Sequence, residues 1–534
     1  DRKIGPDPAS IDSAKIGGIL ANNASGMCCG VEQNSYRTLD SMRIILADGT
    51  TIDTADDKSR ADFRRNHSQL LDGLTALRNQ VLADNELAER IRYKFKIKNT
   101  TGYSLNALVD FDDPFEIMQH LMIGSEGTLG FIAEVVYKTV IEHRYKASSL
   151  MYFPDIRTAC EAVIILKQQP VAAAELMDRA SLASVTGQPG MPDFLSELAS
   201  GVTAILVETR AETAETLTAQ IGQIKTALTG IETVRPIEFT AVPEEFTQLW
   251  KIRKGLFPAV GAVRRTGTTV IIEDVAFPIQ HLANATLDLQ ALLLRYHYTE
   301  AIIFGHALAG NLHFVFTQDF STQDEVVRYR GFMDDVVKLV LEKYDGSLKA
   351  EHGTGRNMAP FVEKEWGEAA FSLMKAIKQL FDPGNLLNPG VILNADLEAH
   401  VKNLKPLPPT HELVDKCIEC GFCEPICPSK NLTFTPRQRI AGRREISRRM
   451  TGGRGEAPLR KLVRSYQYQG MDTCAADGLC STLCPVGIDT GKMIKALREE
   501  AHGALANRVA DWPAENFKPV AATAAGVLNT VDQV

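Results

Sequence analysis

Short apolar runs of two different periods alternate along this chain, and they define its elements before any single residue is considered. Residues 42–46 read as a strand, Asp48-Gly49 as a two-residue turn, and 51–53 as the returning hairpin partner. A polar helical region follows over 62–94. A short apolar helix over 117–122 leads into a Gly-rich loop, and 131–140 is a β-branched strand. Beyond residue 148 the alternation becomes regular. Strand-like runs at 149–153, 202–208, 270–272, 301–304 and 312–317 alternate with helical runs at 156–168, 214–228, 282–296 and 325–344. In the last of these, Val326, Tyr329, Met333, Val336, Val337 and Val340 recur at i, i+3/i+4 spacing, and Gly346 lies just past the end. The pattern predicts an α+β fold.

Lys405-Pro406-Leu407-Pro408-Pro409 breaks the alternation as a semi-rigid spacer. The expected organisation is one α+β unit over 1–148, a second over 149–395, a linker over 396–410, and a mainly helical, cysteine-bearing domain over 411–500. A further segment, cut short, is expected over 501–534. Because Asp1 runs at once into a Gly/Asn-rich stretch, the chain is expected to begin inside a domain.

Composition narrows the function classes. The chain has 534 residues, too many for one core, with 45% hydrophobic and 23% charged residues and a net charge of −8. That charge argues against a nucleic-acid partner. No apolar run reaches 18 residues, and no secretory leader opens the chain. Clustered cysteines without such a leader suggest a reducing, cytoplasmic setting and metal ligation rather than disulfides.

Seven of the ten cysteines fall in 68 residues: Cys417-x2-Cys420-x2-Cys423-x3-Cys427-Pro428, then Cys474-x5-Cys480-x3-Cys484-Pro485. This is iron–sulfur spacing, and zinc does not account for it. Two-cluster proteins take the fourth ligand of each cluster from the other motif. Cluster I then takes Cys417, Cys420, Cys423 and Cys484, as 4Fe–4S. Cluster II takes Cys427, Cys474 and Cys480, with Asp477 where a fourth cysteine is due, as 4Fe–4S or 3Fe–4S. Between the motifs, residues 435–464 hold ten Arg/Lys against two Glu. This is either a solvated helix face or a docking surface for an acidic redox partner or the inner face of a membrane.

Upstream, His306 and His313 bracket a Gly/Asn turn between two strands, and paired imidazoles suit a divalent metal. Glu351-His352, on a Gly-flanked turn, offers a third ligand and a base. The stretch from Pro6 through Gly17, Gly18, Asn22, Asn23 and Gly26 has the small residues that let backbone approach a phosphate, or simply turn tightly.

Asn22-Asn23-Ala24-Ser25-Gly26 together with Gly124-Ser125-Glu126-Gly127-Thr128-Leu129-Gly130 resembles the flavin-binding domain of FAD-linked oxidases of the vanillyl-alcohol-oxidase type. The family's earlier phosphate loop is absent here. The His306/His313 and Glu351-His352 motifs resemble those of FAD-dependent D-2-hydroxyacid dehydrogenases, and joined to the cysteine motifs they look like the D-lactate dehydrogenase branch. The resemblance implies FAD held by Pro6, the two loops, Ile132 and Asn388. It implies a divalent zinc, manganese or iron on His306, His313 and Glu351, with His352 as base. Arg253 would pair with the substrate carboxylate, with Arg264 and Arg265 as competitors. Electrons from a small 2-hydroxyacid would pass through FAD and the clusters to a quinone, cytochrome or protein acceptor. Glycolate, D-2-hydroxyglutarate and a non-enzymatic electron-carrier subunit are the alternatives.

Overall fold

The computed structural model describes all residues except 12–13, 188–192, 406, 453–455 and 532–534. Pro406 of the spacer and Arg454 of the basic stretch lie outside the described residues. The chain separates into two compact units. One comprises residues 1–260 and 268–406, the other 261–267 and 407–534.

The first unit holds two helix-and-sheet bodies. In the first, Leu39–Ile45 is the centre of a three-stranded antiparallel sheet between Thr51–Asp53 and Phe131–Tyr137. The 62–94 region resolves into three helices, Asp57–Asn66, Ser68–Ala83 and Asn85–Lys94. Asp56 and Asp84 cap two of them through backbone N–H groups. Leu70, Leu71, Leu74, Phe115, Ile117, Met118 and Leu121 form one apolar core with Ile44 and Ile52.

His120 sits in that core, stacked on Phe111 at 4.0 Å and edge-on to Tyr36 at 4.9 Å. Burial lowers its pKa to about 4, against about 6.5 in an unfolded chain. The unfolded chain therefore binds the extra proton between those values. This contribution to stability is complete above about pH 6.5 and is lost as pH falls toward 4. At about pH 5 the loss is about 2 kcal/mol. His120→Phe fills the same stack without the proton and is expected to lose correspondingly less stability between about pH 7.5 and about pH 5 in urea unfolding. Equal losses in both proteins would refute the assignment.

The second body is built on a six-stranded, wholly antiparallel sheet. Its spatial order is Tyr145–Phe153, Thr203–Ala211, Ala173–Met177, Ile302–His306, Asn311–Gln318, Thr269–Ala276. Side chains alternate between faces. Phe153, Ile205, Val207, Ile303, Phe314 and Phe316 pack under helices Ile156–Leu166, Leu282–Arg295 and Gln323–Lys338. Met177, Ile302, Phe304 and Val315 face the other way, against Ile252, Leu256 and Val260 of helix Pro243–Val263. The segment expected as linker from 396 begins instead with a buried turn, Ala399–Val401, with Val401 packed into the first of these cores.

The second unit is helical, with Pro436–Thr451, Glu456–Tyr466 and Thr490–Ala501 around a small core of Val414, Ile440, Ile446, Tyr466, Met493 and Ile494. Two helices, Ala504–Glu515 and Phe517–Val531, follow. Among the described residues no helix is long and apolar enough to cross a membrane.

Candidate active site

Sheet register assembles the site. On the face that carries Met177, Phe304 and Val315, period two also places Glu175, His306, His313 and Asp274. His306 pairs across strands with Glu175, and His313 with Asp274. Four neighbouring strands therefore present a row of acid, imidazole, imidazole and acid, all at most 5% exposed. His306 Nδ1 lies 2.7 Å from Glu175 Oε1, and His306 Nε2 lies 2.9 Å from Glu351 Oε1. His313 Nε2 is 3.3 Å from His306 Nε2 and 3.4 Å from the same Glu351 oxygen.

These separations bear on the metal. With bonds of about 2.1 Å, two ligands on one ion lie roughly 3.0 Å apart at a right angle and roughly 3.4 Å apart at the tetrahedral angle. The three observed distances fall in that interval or just below it, so the residues present fit a divalent ion. Electrostatics agree with the geometry. Burial, the largest influence, lowers His313 to about 4 and leaves its ring neutral, with a lone pair to give. Burial alone would raise Glu351, but Lys98 and then His306 hold it well below the usual carboxylate range. Burial, the largest influence, opposes charge on His306, yet Glu175 and Glu351 together raise that pKa. A carboxylate on the far nitrogen of a ligating imidazole fixes its tautomer and orientation.

Glu351 is held from behind as well. Its Oε2 accepts from Ser25 Oγ at 2.7 Å and Gly26 N at 2.9 Å, and pairs with Lys98 Nζ at 3.0 Å. Asp274 Oδ2 receives the backbone N–H groups of Ala350 and Glu351 at 2.9 and 2.7 Å, which sets the turn. Asp274 Oδ1 lies 3.3 Å from His352 Nδ1. The His352 side chain is 34% exposed and stacks on His313 at 5.0 Å. Asp274, His313 and His352 form a second set with metal-ligand spacing beside the first.

The loops expected to hold flavin meet this turn directly. Asn22 Nδ2 donates to the His352 carbonyl at 3.2 Å. The Glu126 carboxylate accepts from Gly355 N at 2.9 and 3.0 Å, and Asn388 Nδ2 donates to the Glu126 carbonyl at 2.8 Å. Gly124 and Gly127 take positive φ angles of 79° and 69° to make that bend. Ser125 and Thr128 spend their hydroxyls inside the loop. Gly26 is parallel-bridged to Asp7, next to Pro6. Gly17, Gly18 and Gly127 have no atom within 4 Å of where a Cβ would stand, which leaves space beside the Gly127 bend and on one side of the 16–22 segment.

Several residues lie elsewhere than expected. The 16–22 stretch is a helix, Ile16–Asn22, rather than a loop, and the Gly18 N–H bonds the Lys15 carbonyl. Gly130 packs tightly against Met122 and Ile44. Ile132 lies in the three-stranded sheet opposite Ile44. Arg253 is 4% exposed, pairs with Glu175 at 2.6 Å, and lies over the Phe304 ring. One nitrogen of its fork, Nη2, faces the carboxylate that orients His306, while its Nε is buried with no hydrogen-bond partner. Arg264 donates to the carbonyls of Asp415, Lys416 and Cys417 within the second unit. Glu175, Asp274 and Lys98 were not expected from sequence. The signal available was an acid inside an apolar strand, single at Glu175 and one of the adjacent pair Glu273-Asp274, and for Lys98 a buried polar run, 98–101.

In the second unit the cysteines divide between two cavities. One is lined by Cys417, Cys420, Cys423 and Cys484, the other by Cys427, Cys474, Cys480 and Asp477. Burial and the neighbouring thiols Cys417, Cys484 and Cys420 push Cys423 up to about 12, a crowding that metal ligation relieves. The Asp477 Oδ1 accepts from Leu479 N at 3.0 Å. The basic stretch is divided: Arg439 and Arg444 are buried, whereas Arg460, Lys461 and Arg464 are exposed. Arg437 pairs with Glu424, Arg444 with Glu419, Arg448 and Arg449 with Glu445, and Arg439 is buried.

Comparison with known proteins follows these sites. The family described as FAD binding domain matches residues 1–55, FAD linked oxidases, C-terminal domain, matches 142–392, and 4Fe-4S dicluster domain matches 413–488. The chain is 26% identical to the glycolate oxidase subunit GlcD of Bacillus subtilis, across 74% of this chain and 72% of that protein. It is 25% identical to a D-2-hydroxyglutarate dehydrogenase of Pantoea ananatis, across 98% of this chain and 58% of that protein. It is 30% identical to a mitochondrial D-lactate dehydrogenase (cytochrome) of Arabidopsis thaliana, across 55% of this chain and 48% of that protein. It thus spans about half the length of the latter two. The chain joins the domains of FAD-linked oxidases of the vanillyl-alcohol-oxidase type to a 4Fe–4S dicluster domain, and its relatives are 2-hydroxyacid dehydrogenases.

Proposed function

We propose that this protein oxidises a D-2-hydroxyacid, D-lactate to pyruvate as first choice, and passes the electrons through its cysteine-bound clusters to a quinone, cytochrome or protein acceptor. The observation that carries this reading is the convergence of His306, His313 and Glu351 on one point, with His352 beside it. FAD, when bound, supplies a two-electron acceptor, and a divalent ion on the three ligands supplies Lewis-acid polarisation of the substrate oxygens. The chain's own part is to orient and to move a proton. His352 takes the substrate hydroxyl proton, with the Asp274 carboxylate 3.3 Å from its Nδ1 to stabilise the imidazolium that forms. Lys98 and Glu175 keep Glu351 ionised and His306 oriented.

A second reading, D-2-hydroxyglutarate as substrate, is favoured by the match over 98% of this chain, clusters included, to a dehydrogenase of that name. Anaerobic mixing of flavin-loaded protein with D-lactate, L-lactate, glycolate and D-2-hydroxyglutarate separates them. Flavin bleaching is expected with D-lactate and not with L-lactate. Bleaching by D-2-hydroxyglutarate alone would establish the second reading, and bleaching by none of the four would overturn both.

A further inference from the structure

Arg439 is a buried charge in the cysteine unit that the proposed reaction leaves unexplained, and no carboxylate is paired with it among the described residues. It lies on helix Pro436–Thr451, is 1% exposed, and is among the largest fully buried side chains of the chain. Its Nε donates to the Gly470 carbonyl at 2.8 Å, and its Nη1 points at Cys427 Sγ at 3.6 Å. Its Nη2 is buried with no hydrogen-bond partner. The Tyr466 hydroxyl donates to its carbonyl at 3.0 Å and pins the helix turn behind it. Arg439 also lines the cavity shared by Cys427, Cys474, Cys480 and Asp477.

The other cavity is arranged differently. Its wall arginine, Arg437, pairs with Glu424 at 2.9 Å, and the buried Arg444 nearby pairs with Glu419 at 2.8 Å. Each of those guanidinium groups has a carboxylate of the protein. A buried guanidinium without an anion is strongly unfavourable, so Arg439 is built to face one. Thiolates ligating iron in the second cavity are that anion, since a cluster held by three or four negative ligands carries net negative charge that grows on reduction.

We propose that Arg439 is a positioning residue for the second cluster: it donates to the Cys427 thiolate, offsets the cluster's charge, and so raises its reduction potential selectively. The proposal rests on Cys427, Cys474 and Cys480 being ligands of that cluster. Hydrogen bonds to cluster sulfurs and nearby charge are the protein's means of setting the potential. The one electron added at that site then increases a negative charge that the guanidinium already balances, and no proton need move with it.

The test is an EPR-monitored redox titration of anaerobically prepared holoprotein, comparing wild type with Arg439→Gln and Arg439→Lys. Gln keeps a donor for Gly470 and removes the charge, whereas Lys keeps the charge. At fixed ambient potential, the oxidised-to-reduced ratio of the second cluster is expected to rise about tenfold or more in Arg439→Gln, a potential lower by about 59 mV for one electron. The first cluster's ratio should stay within about twofold, and Arg439→Lys should recover most of the difference. Selective loss of the second cluster in Gln, restored in Lys, supports the same role. An unchanged ratio in Gln, or equal change in Gln and Lys, overturns it and marks Arg439 as a packing partner of Gly470. Cys474→Ala tests the underlying ligand assignment separately: if the second signal survives that change with its spectrum and potential unaltered, the ligands are wrong, whatever Arg439 does.

Discussion

Replacing His306 by Ala is expected to empty the divalent site and lower turnover by on the order of a thousandfold, since Lewis-acid polarisation is worth several kcal/mol and each 1.36 kcal/mol is tenfold. The expectation follows from how many groups depend on this ring. It stands between Glu175 at 2.7 Å and Glu351 at 2.9 Å, and its Nε2 lies 3.3 Å from that of His313. Without it the two remaining ligand atoms are 3.4 Å apart with a buried carboxylate still paired to Lys98. Two ligands do not hold a divalent ion against water. Glu175→Gln is a milder test of the same chain of contacts. It keeps the shape, removes the charge that orients His306, and should weaken metal binding about 10- to 100-fold. Elemental analysis of bound metal beside turnover decides the matter. If His306→Ala keeps its full metal content, the ligand assignment is wrong even where activity falls.

The legible part of this site is the part whose residues are close in sequence. His306 and His313 flank one turn, so a hairpin alone brings them together, and Glu351-His352 is a local motif on glycines. The cysteine partition is likewise legible, because two-cluster proteins take the fourth ligand of each cluster from the other motif, which puts Cys484 with the first three thiols and Cys427 with Cys474 and Cys480. Glu175 is not legible. It is one acid in the run Ala-Ala-Glu-Leu-Met, 131 residues from His306, and only the antiparallel register of two strands makes them neighbours. Asp274 is hidden in the same way in an apolar strand. Arg253 shows the opposite difficulty. Its place near the site follows from helix Pro243–Val263, but its partner is an acid of the protein, and charge in a buried setting is claimed first by the nearest fixed anion. The helix Ile16–Asn22 reads as a loop because glycines weaken helix propensity, which packing of Ile19 and Leu20 overrides here. The arginines of 435–464 suggest an outward basic face, whereas Glu419, Glu424 and Glu445 engage several of them inside the unit.

Lys94→Met is expected to destabilise the flavin-bearing unit by about 3–5 kcal/mol, the cost of leaving one member of a buried ion pair without its partner. Lys94 and Glu365 are both fully buried, 3.0 Å apart. Lys94 also donates to the Gly346 carbonyl, while Glu365 accepts from Asn99 Nδ2 at 2.8 Å and Leu348 N at 2.9 Å. The pair therefore clamps the end of helix Asn85–Lys94 to the start of the turn that carries Glu351. The same clamp continues through the next residues: Thr100 N donates to the Lys349 carbonyl at 2.7 Å, Gly353 N to Thr100 Oγ1 at 3.0 Å, and Lys98 reaches Glu351 itself. This is why a polar stretch, 94 and 98–101, is buried. Its side chains serve as partners for the backbone of a loop that meets the sheet through the single bridge of Ser347 to Ala276. Removing only Lys94 leaves Glu365 as an uncompensated charge, so the double change Lys94→Met with Glu365→Gln, which removes that charge and keeps an acceptor for Leu348 N, should recover about 1–2 kcal/mol of the loss. Urea unfolding of the single and double variants measures both quantities. A single variant within about 1 kcal/mol of wild type would show the pair to be dispensable, and the loop's position would then rest on Lys98 and Asp274 alone.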